Sequence, residues 1–349
     1  MGAARKLEAT PGLRAASAPR RGVGHQRLLH IDTATGALED GAFDALSDHV
    51  RPGDVWVLND AATLPASLRG TAAGRAVELR LLSERADGSW WAVLFGEGSW
   101  RDDTDRRPAP PVLAPGDRIA LGELSATVRA VDPRAARLVH VDFEPGGDAF
   151  WRLLYAGGRP VQYSYVARDL ELAEVQTPYA GRPWSVEPPS AGRPLSTGAL
   201  SALRRAGAQI VTLTHAAGLS ATGDPALDAR LPLPERYELP EATARAVARA
   251  RREGRRVVAV GTSTTRALEG NARDLGALRP GVFETDLVLG PRTRRAVVDA
   301  LLTGAHDPAS SHFQLLCAFA PAALLDAAVR RSAELGYLGH ELGDSWLVT

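Results

Sequence analysis

The chain is poor in several things, and each shortage closes a class of function. Cys317 is the single cysteine among 349 residues, so an intramolecular disulfide and a cysteine-built zinc site are both excluded. Its neighbours Leu315, Leu316, Ala318 and Phe319 mark it as core. Neither charge is in excess: 41 basic residues balance 41 acidic ones, leaving no global field to draw in nucleic acid or a membrane surface. A polyanion would have to be met by a local patch. No stretch approaches the roughly 18 uninterrupted apolar residues of a membrane helix, and the amino terminus, M-G-A-A-R-K-L-E-A-T, lacks the apolar region of a secretory signal. A cytoplasmic location is expected, with no membrane partner. The Gly-Lys-Ser/Thr loop and the G-x-G-x-x-G spacing are missing, which removes support for nucleoside triphosphates and dinucleotides. Metal-ligand spacings such as H-E-x-x-H are missing as well, so no metal is expected.

What is present is an ordinary globular balance, 45% apolar and 23% charged, in a chain long enough for two domains. Residues 1–24, rich in Ala, Arg, Pro and Gly, read as a mobile or extended arm. The most informative stretch is Arg255–Glu269, R-R-V-V-A-V-G-T-S-T-T-R-A-L-E. Val257 to Val260 form a continuous apolar run of the kind buried on both faces of a sheet. Gly261 breaks it, and Thr262, Ser263, Thr264 and Thr265 offer caps for a helix beginning near Arg266. A strand, a hydroxyl-rich turn and a helix N-terminus suit a carboxylate or ribose hydroxyls. The same turn also serves as a plain connection with no ligand.

Taken in order, Leu28–Ile31 and Val55–Leu58 read as buried strands, the second running into the polar pair Asn59-Asp60. Such a pair at a strand's carboxyl end is either a ligand contact or a common terminator. From Leu68 to about Phe150 the texture changes to short alternating runs separated by Gly, Pro and Asp turns, the signature of a small antiparallel barrel. Strand and helix patterns then alternate again, through the proline-rich loop Pro188–Leu195, a strand Gln209–Leu213, helices over 197–207, 240–252, 294–302 and 321–335, and the polar loop Gly304–His312. The fold class expected is α/β: a larger barrel-like α/β domain, 25–67 and 151–349, interrupted by an inserted β-barrel domain, 68–150.

In this order the landmarks resemble the S-adenosylmethionine:tRNA ribosyltransferase-isomerase family of queuosine biosynthesis. The resemblance rests on Pro52-Gly53-Asp54 with Asn59-Asp60, Gln176-Thr177 with Tyr179-Ala180, and Pro189-Ser190-Ala191-Gly192. Val260-Gly261-Thr262-Ser263 with Arg266, His306 with Pro308 and Ser310, and Gly343-Asp344 complete it. It implies transfer of the ribosyl part of S-adenosylmethionine to a 7-aminomethyl-7-deazaguanine base in tRNA, releasing adenine and methionine and forming an epoxycyclopentane. S-adenosylmethionine would be a co-substrate, and no further cofactor is called for. A sulfonium acidifies the adjacent C5′ hydrogens, so a general base must remove one in a dry pocket, and departing adenine needs a proton or strong hydrogen bonds.

The resemblance also implies roles. His306 is the candidate acid or base, because imidazole titrates near neutral pH. Gly261, Thr262, Ser263 and Arg266 would hold the methionine carboxylate or ribose hydroxyls, Asn59 and Asp60 the base or sugar, and Pro189, Ser190, Ala191, Gly192 and Ser310 would complete the pocket. Glu235 and Glu269 are read as partners for arginines. Arg249, Arg251, Arg252, Arg255 and Arg256, with Arg292, Arg294 and Arg295, are the candidate RNA contacts. Departures from the family pattern are Ala61-Ala62 for Thr-Arg, Ser67 for Arg, Arg193-Pro194-Leu195 for Leu-His-Phe, Gly304-Ala305 for Asn-Phe and Pro232-Leu233-Pro234 for Met-His-Ser. Two alternatives follow from these losses: a paralogue that uses S-adenosylmethionine with another acceptor or as a lyase, and a non-catalytic RNA- or ligand-binding protein.

Overall fold

A computed structural model describes residues 12–19, 26–308 and 310–349. At its centre lies a nine-stranded sheet made of β1 (Arg27–Ile31), β2 (Leu38–Ala42), β3 (Val55–Asn59), β4 (Gln209–His215), β5 (Glu235–Leu239), β6 (Val257–Val260), β7 (Gly281–Thr285), β8 (Ala300–Gly304) and β9 (Ser345–Val348). Their order in space is β7-β5-β4-β3-β6-β8-β9-β1-β2. The four middle strands β4, β3, β6 and β8 are mutually parallel, so their carboxyl ends open on one edge. Their flanks turn back, with β5 antiparallel to β4 and β9 antiparallel to β8.

The valine run is explained by its neighbours. Val257 and Ala259 join an apolar layer with Val55, Val57, Val247 and Leu325, whereas Val258 and Val260 join the opposite layer with Trp56, Leu58 and Leu200. A strand covered on both faces shows no polar alternation. The same pressure overturns one expectation: the segment read as a helix over 294–302 ends in strand β8, buried between β6 and β9. Short apolar runs do not distinguish helix from strand, and here the backbone is diverted beforehand. The Glu269 carboxylate accepts the amides of Ala296, Val297 and Val298 at 2.7, 2.9 and 2.8 Å, which leaves no helical ladder. Glu269 thus holds backbone, not an arginine.

Between β3 and β4 the chain forms a closed barrel of six strands, from Ser67–Ala72 to Ala135–Glu144. Leu79, Leu81, Leu94, Ile119 and Val139 fill it, and Phe150 and Leu154 of the helix Gly147–Gly157 pack on them. Leu219 and Leu227, from the segment after β4, reach into the same cluster. Buried among these groups, Glu78 accepts from Arg80 Nε at 2.6 Å and from Arg107 Nη1 at 2.7 Å.

Of the expected arm, 1–11 and 20–24 lie outside the described residues. The part described, 12–19, is docked rather than mobile: Leu13 and Ala16 are buried, and Ala16 N donates to Gly339 O at 3.1 Å. Two apolar side chains finding a cover account for the difference. None of the described helices is long and apolar enough to cross a membrane.

Truncating Glu78 strands two buried guanidinium groups. Glu78→Ala is expected to cost about 3–5 kcal/mol of stability, read from the urea midpoint; a loss below about 1 kcal/mol would mean that the buried pairing carries little.

Candidate active site

The carboxyl ends of β4, β6 and β8 run into His215–Ser220, Gly261–Ser263 and Gly304–His306, and between them opens a cleft, where parallel sheets place ligands. Its first lobe, about 440 Å³, is walled by Pro189, Ser190, Ala191, Gly261, Thr262, Ser263, Thr303, His306, Ser310, His312 and His340. Four carboxyl residues, Glu187, Asp228, Asp307 and Glu341, are among those lining it, and among the described residues no Lys or Arg is. A second lobe, about 220 Å³, is more apolar, with Leu219, Leu231, Leu287, Val288 and Leu315 beside Arg266 and Glu235. Glu187, Ser220, Thr262, Ser263 and His312 belong to both, which makes the lobes continuous.

Local sequence sets each wall. Gly261 has φ +90°, a left-handed turn that suits glycine and starts the helix Thr262–Leu275 directly from β6. No side chain caps its first turn. Thr264 and Thr265, expected as caps, are buried and donate back to Val260 O at 2.7 Å and Gly261 O at 3.2 Å. Only Thr262 and Ser263 of the four hydroxyls face the cleft. Gly192 lies buried behind the proline-rich loop, where a Cβ would strike the Tyr179 hydroxyl. Ser310 caps the short helix Ser311–Leu316, accepting Phe313 N at 3.1 Å.

Asn59 and Asp60 lie beneath the cleft instead of in its walls. Asn59 is buried; its Oδ1 accepts Ala61 N and His215 N, while its Nδ2 donates to His215 O at 3.0 Å and to Ser263 Oγ at 3.3 Å. Asp60 accepts the Thr214 hydroxyl at 2.6 Å. Arg266 is buried in the second lobe's wall, paired with Glu235 and donating Nε to Leu287 O at 2.9 Å. The candidate RNA arginines sit at the other end of the sheet: Arg255 and Arg256 precede β6, Arg256 pairs with Asp54, and Arg251 pairs with Asp299. Arg251, Arg294 and Arg295 border one depression there, separated from the cleft by the length of β6.

Burial acts in opposite directions on the cleft's imidazoles and on two of its carboxyls. His306 is half-buried, holds Thr303 Oγ1 at Nε2 over 2.7 Å, and stacks on His312 with centroids 4.9 Å apart. Burial, then the nearby His312 and His340, push its pKa well below the usual imidazole range. Burial also lowers His312 and raises Glu187 and Glu341. Glu187 Oε1 accepts the Tyr163 hydroxyl, Ser220 N at 2.8 Å and Ser220 Oγ at 3.0 Å. Glu187, Thr303, His340 and Glu341 were not singled out from sequence. The acid before Pro188-Pro189 was a usable signal for Glu187, since that loop was already read as a wall.

With this geometry in place, comparison with known proteins decides the lineage. The family model described as queuosine biosynthesis protein matches residues 9–348. The chain belongs to that family. Among its relatives, the S-adenosylmethionine:tRNA ribosyltransferase-isomerase of Thermus thermophilus is 36% identical over 87% of this chain and 86% of its own. The enzyme of the same name from Acidithiobacillus ferrooxidans is 36% identical over 93% and 91%. A crystal structure of S-adenosylmethionine tRNA ribosyltransferase from Thermotoga maritima shares the fold, with TM-score 0.53 and 24% identity over 96% of both chains. The family resemblance read from scattered motifs therefore stands, as does the mixed α/β fold with its small barrel.

One buried group gives the site a pH signature. His215 is fully enclosed, its ring nitrogens make no hydrogen bond among the described residues, and Glu235 Oε2 lies 3.4 Å from Nε2. Burial lowers its pKa to about 4. The unfolded chain binds this proton at about 6.5, so stability is complete above that pH and is lost as pH falls toward 4. The loss is up to about 3 kcal/mol. In urea titrations across this window, His215→Leu is expected to flatten the slope relative to the parent chain; an unchanged slope would refute the assignment.

Proposed function

We propose that this chain performs the reaction for which its relatives are named. It would transfer the ribosyl part of S-adenosylmethionine to a 7-aminomethyl-7-deazaguanine base in tRNA, with release of adenine and methionine. The observation that carries this reading is the cleft itself, where an uncapped helix N-terminus, His306 and a carboxyl-lined first lobe converge in a chain of this family. The orphan amides of the first helical turn, with Thr262 and Ser263, suit the methionine carboxylate. The carboxyl-rich wall suits the sulfonium and the ammonium. The apolar second lobe suits a planar base, and its continuity with the first brings that base to the ribose. On this reading 25–67 and 151–349 form the main domain and 68–150 an inserted one.

For the chemistry, we assign His306 to removal of the C5′ proton. Its lowered pKa keeps the ring neutral at working pH, and the Thr303 hydroxyl orients it. Glu187 is assigned to protonating the adenine as it leaves. The Tyr163 hydroxyl, Ser220 N and Ser220 Oγ all donate to its Oε1, so Oε2 is the oxygen to carry the proton, and burial favours that protonated form. Gly192, Asn59, Asp60 and Arg266 support the walls and do not touch substrate on this assignment.

The test incubates the protein with S-adenosylmethionine, with and without tRNA carrying the deazaguanine, and measures adenine, methionine and methylthioadenosine. Adenine and methionine that appear only with this tRNA support the proposal. Products without tRNA indicate a lyase, products with another acceptor a paralogue, and no turnover a binding protein. His306→Gln is expected to lower kcat by about 10²–10⁴-fold with S-adenosylmethionine affinity nearly unchanged. Glu187→Gln should remove the acidic group from the kcat profile.

A further inference from the structure

We infer that His30, Glu39 and His49 form a site for one divalent transition-metal ion, on the sheet's far flank and apart from the cleft. His30 on β1 and Glu39 on β2 are register partners, and His30 Nδ1 lies 3.0 Å from Glu39 Oε2. His49 ends the 3-10 turn Phe43–His49, and its ring centroid is 4.3 Å from that of His30. One donor atom from each of the three residues lies within 4.8 Å of the others. Bonds of about 2.0–2.2 Å to nitrogen and oxygen put tetrahedral ligands roughly 3.3–3.5 Å apart, so rotations of the half-buried His49 and exposed Glu39 side chains close the set.

The contact on the far side of the His30 ring points the same way. Thr349 Oγ1 holds His30 Nε2 at 2.9 Å, which orients the ring so that Nδ1 faces Glu39, as an outer partner does for a ligating imidazole. Two imidazoles and one carboxylate suit zinc, cobalt or nickel better than magnesium or calcium. Nearby charge is balanced: Arg256 donates to His49 O at 2.8 Å but is itself paired with Asp54, and Asp48 is adjacent. Linear spacing hides the group, because strand pairing brings 30 and 39 together. The site is three strands from β6, roughly 14 Å across the sheet, so the metal would tie edge strand β2, the turn and the chain's last residue together and take no part in the cleft chemistry.

Tag-free, chelator-treated protein is titrated with Co²⁺ and followed by visible d–d absorption, then challenged with Zn²⁺. We expect one equivalent per chain, displaced by Zn²⁺, weakened about tenfold or more in Glu39→Gln and in His49→Gln. His312→Gln, in the cleft, is expected to bind as the parent does. Absence of a stoichiometric isotherm, binding indifferent to both substitutions, or binding lost in His312→Gln would overturn the inference.

Discussion

A single buried carboxamide holds the cleft together. Asn59 ends β3, and its four hydrogen bonds reach the backbone of Ala61, both backbone groups of His215 at the end of β4, and the Ser263 hydroxyl after β6. Three strand ends are thereby fixed relative to one another by one side chain. In a low-dielectric setting a fully satisfied network of this kind specifies a unique arrangement, whereas a half-satisfied one costs free energy. The positions of Thr262, Ser263 and Ser220 all inherit that arrangement.

Above this staple, burial is the dominant electrostatic influence. It moves imidazoles and carboxyls in opposite directions, lowering His306 and His312 and raising Glu187 and Glu341, so both kinds of group favour their uncharged forms. The first lobe, lined by four carboxyl residues and, among the described residues, by no Lys or Arg, would repel anions if fully ionised. Burial of Glu187 and Glu341 moderates that charge, and the helix N-terminus at Thr262 supplies a region suited to a negative group.

The barrel is coupled to this site through packing and charge. Arg80, fixed by Glu78 inside the barrel, sits 5.6 Å from the Tyr163 ring, and Tyr163 in turn donates to Glu187. Leu219 belongs to the barrel's apolar cluster and also lines the second lobe. The barrel thus packs against groups that line the cleft without lining it itself.

Local pattern alone disclosed the buried strand Val257–Val260, the glycine break after it, the change to antiparallel texture from Leu68, and the proline-stiffened loop around Pro189. These features are local because dihedral preference and layer burial act over a few residues. Spatial convergence was beyond it. Whether Asn59 meets a ligand or staples strands depends on β4 lying beside β3, a contact between residues 156 apart. Whether Thr264 caps a helix or turns inward depends on which face the sheet covers, and whether Ala300–Leu302 is helix or strand depends on the free edges of β6 and β9. Residue type and spacing marked the buried central strand, the turns and the family resemblance of this chain; tertiary pairing alone decided which of its polar groups face the cleft, because a side chain's role is set by neighbours distant in sequence.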